Sequence, residues 1–182
     1  MMNLSESAKA VLENIASRKS VRSYADGKVP QEMVEVLLRA AMAAPSAKNR
    51  QPWEFVVVDD RATLDILAGK LRYAKMLAQA PLAIIVCAET MIEHSDGSFS
   101  ENPFWEHDAS AATENLLLAA EALGLGAVWT AASDPERSAA VKSVISMPES
   151  VMPLCVIPIG FPAGDEHPKD KWNPAKVHHG KW

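Results

Sequence analysis

The apolar positions change period several times along the chain, and each change marks an element. Over residues 4–17, Leu4, Ala8, Val11, Leu12 and Ile15 recur on one helical face, with Asn3 and Glu6 spaced as a capping pair. A second amphipathic helix is predicted over 30–43, where Met33, Val36, Leu37, Ala40 and Ala41 return at helical spacing. Pro30 suits its first position, and Pro45 ends it by forcing the preceding residue out of the α region. The period then gives way to unbroken apolar runs of strand length, WEFVVVDD at 53–60 and LAIIVCA at 82–88, both read as buried central strands. Shorter helices are predicted between them, over 60–71 and 72–79.

The stretch 89–104, ETMIEHSDGSFSENPF, is polar and broken by Gly and Pro, the composition of a mobile loop and a candidate lid. The longest helix follows over 106–123, with Glu106 and Asp108 in its first turn and Gly124 as its stop. Its stripe of Ala109, Ala112, Leu116, Leu117, Ala120 and Leu123 is widened by Ala111, Leu118 and Ala119, so it should be buried nearly all round. A strand near 127–131, a short helix over 134–143 and a last strand over 154–160 complete the pattern. Strands separated by helices indicate a layered α/β or α+β sandwich. From Phe161 the chain reads FPAGDEHPKDKWNPAKVHHGKW, whose three prolines forbid a regular helix and whose two tryptophans suit a docked segment. Stretched out, that arm reaches up to ~70 Å, enough to cross onto a neighbouring subunit.

The whole 182-residue chain is expected to form one domain, the arm 161–182 included, since no repeat or Gly/Ser linker divides it. A net charge of −5 at pH 7 provides no basic footprint for nucleic acid. No apolar run approaches the ~20 residues of a membrane span, and the N-terminal stretch lacks the pattern of a leader, so the cytoplasm is expected. Cys87 and Cys155, each inside an apolar run, read as small buried hydrophobes in a reducing compartment. Walker, HExxH, CxxC and GxSxG motifs are absent, and Gly124-Leu125-Gly126 follows a helix where a dinucleotide fingerprint follows a strand. His94, His107 and the pair His178-His179 lack metal-ligand spacing, so no metal is expected.

Two segments carry chemistry. Ser17-Arg18-Lys19-Ser20-Val21-Arg22-Ser23-Tyr24 sets three cations and several hydroxyls just after a helix, a ready anion site. Ala44-Pro45-Ser46-Ala47-Lys48-Asn49-Arg50-Gln51-Pro52-Trp53 offers amides and a hydroxyl suited to a polar heteroaromatic edge. On residue type alone, Trp53 and Trp129 are core aromatics, and Lys48 and Arg50 are solvated.

In this order and spacing, the two segments resemble the flavin-binding motifs of the nitroreductase family, R-[RK]-S-x-R followed by A-P-S-x-x-N-x-Q-P-W. The resemblance extends to GLGAVWTAA at 124–132, IGFP at 159–162 and KDKWNPAKVHHGKW at 169–182, nearly the whole chain. It implies an α+β layered sandwich with a central mixed sheet, assembled as an interlocked homodimer with FMN at the subunit interface and the Ala-rich helix in the dimer core. Arg18, Lys19 and Ser20 match contacts to the FMN phosphate and ribityl chain, and Arg22 the cation near the flavin N1 and C2 carbonyl. Pro45, Ser46 and Asn49 match the loop reaching the flavin from the partner subunit, with Gln51 in support. Trp129, Thr130 and Ala131 match the segment along the isoalloxazine, and Gly160 a close-approach position. Lys171 stands where many relatives use a phosphate-binding arginine, and lacks its bidentate fork.

The implied activity is ping-pong hydride transfer from NADH or NADPH to a nitroaromatic, quinone or enone. The cofactor carries that chemistry, so no catalytic side chain is implied. The fold also hosts oxygen-dependent flavin breakdown and reductive dehalogenation, and a non-enzymatic FMN carrier or sensor is a further alternative.

Overall fold

The computed structural model describes residues 3–182. Helices α1 (Glu6–Ser17) and α2 (Gln31–Met42) come first, then strand β1 (Trp53–Val58), helix α3 (Arg61–Lys70) and strand β2 (Leu82–Glu89). A hairpin of β3 (Met91–Glu93) and β4 (Phe99–Glu101) leads to the long helix α4 (Trp105–Ala122). Strands β5 (Gly126–Ala127) and β6 (Thr130–Ala131), helix α5 (Pro135–Ile145) and strand β7 (Val151–Gly160) follow.

The apolar run in β2 takes the middle of the sheet, whose order is β1-β2-β7-β5 with β6 also on β7, every ladder antiparallel. Strand alternation sends Ile84 and Val86 into a core with Leu37 of α2 and Leu116 of α4. Ala83, Ile85 and Cys87 enter the opposite core with Leu64 and Leu67 of α3 and Val141 of α5. The result is the α+β layered sandwich the sequence implies, with its central sheet antiparallel in every ladder rather than mixed. No helix among the described residues is long and apolar enough to cross a membrane.

Several elements differ from their expected form. β1 is an edge strand, with Glu54 and Val57 exposed, because only β2 borders it. The 72–79 helix reduces to a 3₁₀ turn at Lys75–Ala78. The expected loop at 89–104 contains the β3–β4 hairpin, closed by Asp96-Gly97 with Gly97 at φ 80 and Asp96 Oδ1 accepting the Ser98 N–H at 2.9 Å. The strand expected at 127–131 is two pieces in one register, and the gap falls where Pro158 of β7 has no N–H to donate. β7 itself starts at Val151, and its ladder with β2 shifts register at Val86/Cys87, opposite Pro153. α5 runs on to Ile145 and ends at Ser146 in the left-handed region.

Ser5, not Asn3, caps α1, accepting the Ala8 N–H at 3.3 Å. Pro30 is the N-cap residue of α2, which buries Val34, Leu37 and Ala41 and leaves Val36 exposed. α4 is not buried all round as expected: it buries the face of Ala109, Ala112, Leu116, Leu117 and Ala120, leaves Ala111, Leu118 and Ala119 half-buried, and exposes Glu106, His107, Glu114 and Ala122. α1 is tied to it by Asn14, whose Nδ2 donates to Leu118 O at 3.0 Å. The apolar residues Val11, Leu12 and Ile15 of α1 nevertheless stay more than half exposed. The arm is pinned over its first six residues, where Ala25 N–H donates to Phe161 O (2.8 Å), Ala163 N–H to Ser23 O (3.0 Å) and Arg22 N–H to Glu166 Oε1 (2.8 Å). Beyond it Trp172 and Trp182 are exposed, Trp182 stacking on His178 with ring centres 4.1 Å apart.

Candidate functional site

The basic turn after α1 is shaped by what is buried beneath it. The side chain of Val21 is buried and its N–H donates to Ala127 O of β5 at 3.0 Å. Gly126 makes the close approach possible, since a Cβ there would lie 2.5 Å from Val21 Cγ1 and 2.7 Å from its Cβ. The Tyr24 hydroxyl donates between Val21 O (2.8 Å) and Pro158 O (3.1 Å). Burial pushes the Tyr24 pKa well above the usual tyrosine range, and the charge of Glu166 adds to the rise against the opposing pull of Arg22. Gly160 has a packing role: a Cβ there would press on Pro81 Cδ at 2.7 Å and on Tyr24 Cδ1 at 3.0 Å.

With Val21 and Tyr24 held inward, Arg18, Lys19, Ser20 and Arg22 line a cavity of about 390 Å³, closed from the other side by Glu166, Lys169 and Lys171 of the arm. α4 braces two of the cations. Glu114 lies 3.4 Å from Arg18 Nε, and Glu121 lies 3.0 Å from Lys19 Nζ. Among the described residues, no carboxylate lies within 4.0 Å of the Arg22, Lys169 or Lys171 charges. The backbone N–H of Arg22 donates to Glu166 Oε1 at 2.8 Å. Cations, a hydroxyl and a backbone donor facing one space suit a phosphate group.

The second segment forms a separate wall. Ser46 Oγ accepts the Gln51 N–H at 2.9 Å, and Gln51 Nε2 donates to Asn49 Oδ1 at 3.3 Å. Lys48, Asn49 and Gln51 all sit in the left-handed region, with φ of 54, 54 and 52, a concentration of backbone strain that needs outside support. Asp108 supplies some of it. This residue, buried in α4, accepts the Ala47 N–H at Oδ1 (2.9 Å), while its Oδ2 has no hydrogen-bond partner. Asn49 and Gln51 face a cavity of about 540 Å³ shared with Met91, Glu93 and Asn102 around the hairpin.

Five of the residues singled out in the sequence thus converge on one cavity: Arg18, Lys19, Ser20, Arg22 and Lys171. Asn49 and Gln51 line the other, while Pro45 and Ser46 lie beside it in the same loop. Trp129, Thr130 and Ala131 line neither cavity. Trp129 packs against the core, Thr130 Oγ1 donates to Val156 O at 2.5 Å, and Ala131 is exposed. Sequence reasoning missed Glu166 and Lys169, for which the charge density of DEHPKDK was the available signal. It also missed Glu114 and Glu121, two acids seven apart in the Ala- and Leu-rich body of α4. Asp108 was legible only as a dipole partner for the helix start.

Other candidates do not form sites. No cluster of His, Cys, Asp and Glu able to hold a metal occurs among the described residues. Cys87 and Cys155 enter opposite cores, and burial pushes both thiols up to about 12, so neither is a ready thiolate.

The model of the nitroreductase family matches residues 15–70 and 62–161. A protein of Methanothermobacter thermautotrophicus, provisionally named NADH dehydrogenase/NAD(P)H nitroreductase, is 42% identical over 173 residues, spanning 94% of this chain and 87% of its own. A crystal structure from Bacteroides thetaiotaomicron with the same provisional name is 49% identical, with a TM-score of 0.88 over 95% of this chain and 98% of that one. A provisionally named nitroreductase of Desulfovibrio desulfuricans, solved in complex with FMN, is 30% identical, with a TM-score of 0.77 over 94% of this chain and 97% of that one.

Proposed function

Because the chain belongs to the nitroreductase family, we propose that it is an FMN-dependent NAD(P)H oxidoreductase, a single domain over 1–182 that works as a homodimer. The observation that carries the reading is the convergence of Arg18, Lys19, Ser20, Arg22 and Lys171 on one cavity of about 390 Å³. This donor set fits the phosphate and ribityl end of FMN, and the FMN-bound relative supports the choice of ligand. When bound, FMN supplies the hydride-accepting chemistry, taking a hydride from NADH or NADPH and passing it to a nitroaromatic, quinone or enone.

The chain's own residues bind, orient and tune. Glu114 and Glu121 hold the Arg18 and Lys19 side chains in place before the ligand arrives, which lowers the entropy of ordering them. The Arg22 guanidinium provides fixed positive charge toward the flavin ring while its backbone N–H faces the phosphate, to which Lys171 adds a point charge. Trp129, Thr130 and Ala131 lie along the ring. Pro45, Ser46, Asn49 and Gln51 reach it from the partner subunit, a division supported by their separation from the basic cavity within one chain. The exposed Val11, Leu12 and Ile15 of α1, with Trp172 and Trp182 of the arm, are apolar area for a second copy to cover. No nucleophile or strong general acid is asked of the protein. Two buried free cysteines suit a reducing cytoplasm.

The test begins with the visible spectrum of the purified protein and chromatography of the pigment released on denaturation, where FMN is expected. Steady-state oxidation of NADH and NADPH follows, with a nitroaromatic and a quinone as acceptors. A colourless protein that takes up no FMN at saturation overturns the reading, and a flavoprotein that oxidises neither nicotinamide reduces it to a carrier.

A further inference from the structure

The cavity assigned to phosphate already contains an anion of the chain itself. Phe161–Ala163 are pinned along Ser23–Ala25 by the two backbone bonds described above, and Tyr24 and Pro162 form an isolated β-bridge. Gly164 follows, and the chain then turns so that Glu166 Oε1 accepts the Arg22 N–H at 2.8 Å. The Glu166 side chain curls into the space that a Cβ on Gly164 would take, so the seat depends on a residue without a side chain at 164. Asp165 pairs with His167, at 3.2 Å, so Glu166 is the carboxylate lining the cavity.

Resting on the reading that this cavity takes the phosphate of FMN, we infer that Glu166 is a resident competitor: its carboxylate occupies the Arg22 N–H until an incoming phosphate displaces it. A competitor of this kind lowers the apparent affinity by the fraction of chains in which the seat is open. A carboxylate seated in roughly nine chains of ten costs a phosphate ligand about tenfold. Only ligands that need the seat bear that cost. A phosphate monoester carries up to two charges and three acceptor oxygens, and so can evict a single carboxylate. A small monoanion has no such advantage over a group already tethered beside the seat. Glu166 therefore determines specificity, setting how strong an anion must be to enter.

The experiment uses the full-length protein stripped of flavin and titrated with FMN and with riboflavin, which lacks the phosphate, reading flavin fluorescence. Glu166→Gln removes the competing charge and should tighten FMN about tenfold while leaving riboflavin unchanged. Gly164→Ala keeps the charge but crowds the carboxylate off its seat, and should shift FMN in the same direction. That variant separates eviction from a general loss of negative charge. If wild type binds FMN and both variants bind it equally well or more weakly, Glu166 is a support or a bystander and the inference is overturned. Equal tightening of riboflavin overturns it as well, because competition for a phosphate seat cannot act on a ligand without phosphate. Failure of wild type to bind FMN at all is a different result, which removes the assignment of the cavity and this inference with it.

Discussion

Adding one methyl group at Gly126 should damage both the fold and the anion site, because the same contact holds them together. The new Cβ in Gly126→Ala would lie 2.5, 2.7 and 3.0 Å from Val21 Cγ1, Cβ and Cγ2. Val21 cannot step aside alone. Its N–H is bonded to Ala127 O at 3.0 Å, and its carbonyl accepts the Tyr24 hydroxyl at 2.8 Å. The whole turn from Arg18 to Tyr24 must therefore move outward, carrying the cations with it. Overpacking of this kind costs about 1–3 kcal/mol. For a chain of this size that lowers Tm by roughly 2–12 °C, read by circular dichroism. FMN affinity, read by fluorescence titration, should fall in the same variant. Val21→Ala removes the Cγ1 and Cγ2 clashes and leaves the Cβ contact, so the double variant should be more stable than the two single losses add up to. Additive losses, or a Gly126→Ala protein with unchanged Tm and FMN affinity, would refute the reasoning.

Arg18→Ala should weaken FMN binding by about 1.5–3 kcal/mol, the worth of a charge-assisted contact, whereas Arg22→Ala should lower the reduction potential of the bound flavin. Titration and potentiometry that show equal loss of binding and an unmoved potential contradict that division. Deleting residues 171–182 removes Lys171 together with the exposed Trp172, Val177 and Trp182, so dimer affinity by sedimentation and FMN affinity should fall together. Cys87 and Cys155 are pushed from 9.0 up to about 12 by burial, so unfolded thiols ionise before folded ones. Their contribution is complete below pH 9 and is lost as pH rises toward 12, at up to about 1.4 kcal/mol per pH unit for each thiol. Denaturant unfolding across that range should show a shallower decline in Cys87→Ala and Cys155→Ala than in the parent protein.

What the sequence revealed of the fold follows from how local each determinant is. α4 and β2 are dictated by their own side chains, an apolar helix too wide for one face and an apolar run too continuous for an edge, and both formed where expected. β1 has the same β-branched character, yet its place at the edge depends on which strands pair with β2, a long-range matter invisible in WEFVVV. The β3–β4 hairpin is missed when 89–104 is read as a loop from its polar composition, although Asp96-Gly97 is a pair whose backbone preference closes a turn even inside a polar stretch. The break between β5 and β6 has its cause about thirty residues away in Pro158, and no window around Trp129 could contain it.

The site divides along the same line. Arg18, Lys19, Ser20 and Arg22 are consecutive or nearly so, and burying Val21 and Tyr24 inward is enough to turn them out together. Their supports come from elsewhere: Glu114 and Glu121 from α4, and Glu166 from the arm. Each of the three is an ordinary surface acid by local sequence and gains meaning only from the cation the fold sets beside it. The loop 44–53 shows the converse. Its residues are locally distinctive, with three left-handed backbones at Lys48, Asn49 and Gln51, but strain of this kind persists only where other groups over-determine it. Ser46 and Asp108 hold it from within the chain, and the exposed Asn49 and Gln51 side chains are left to act on something outside it. The proposed homodimer accounts for that division: one chain fixes the shape of the loop, and the other presents the ligand to it.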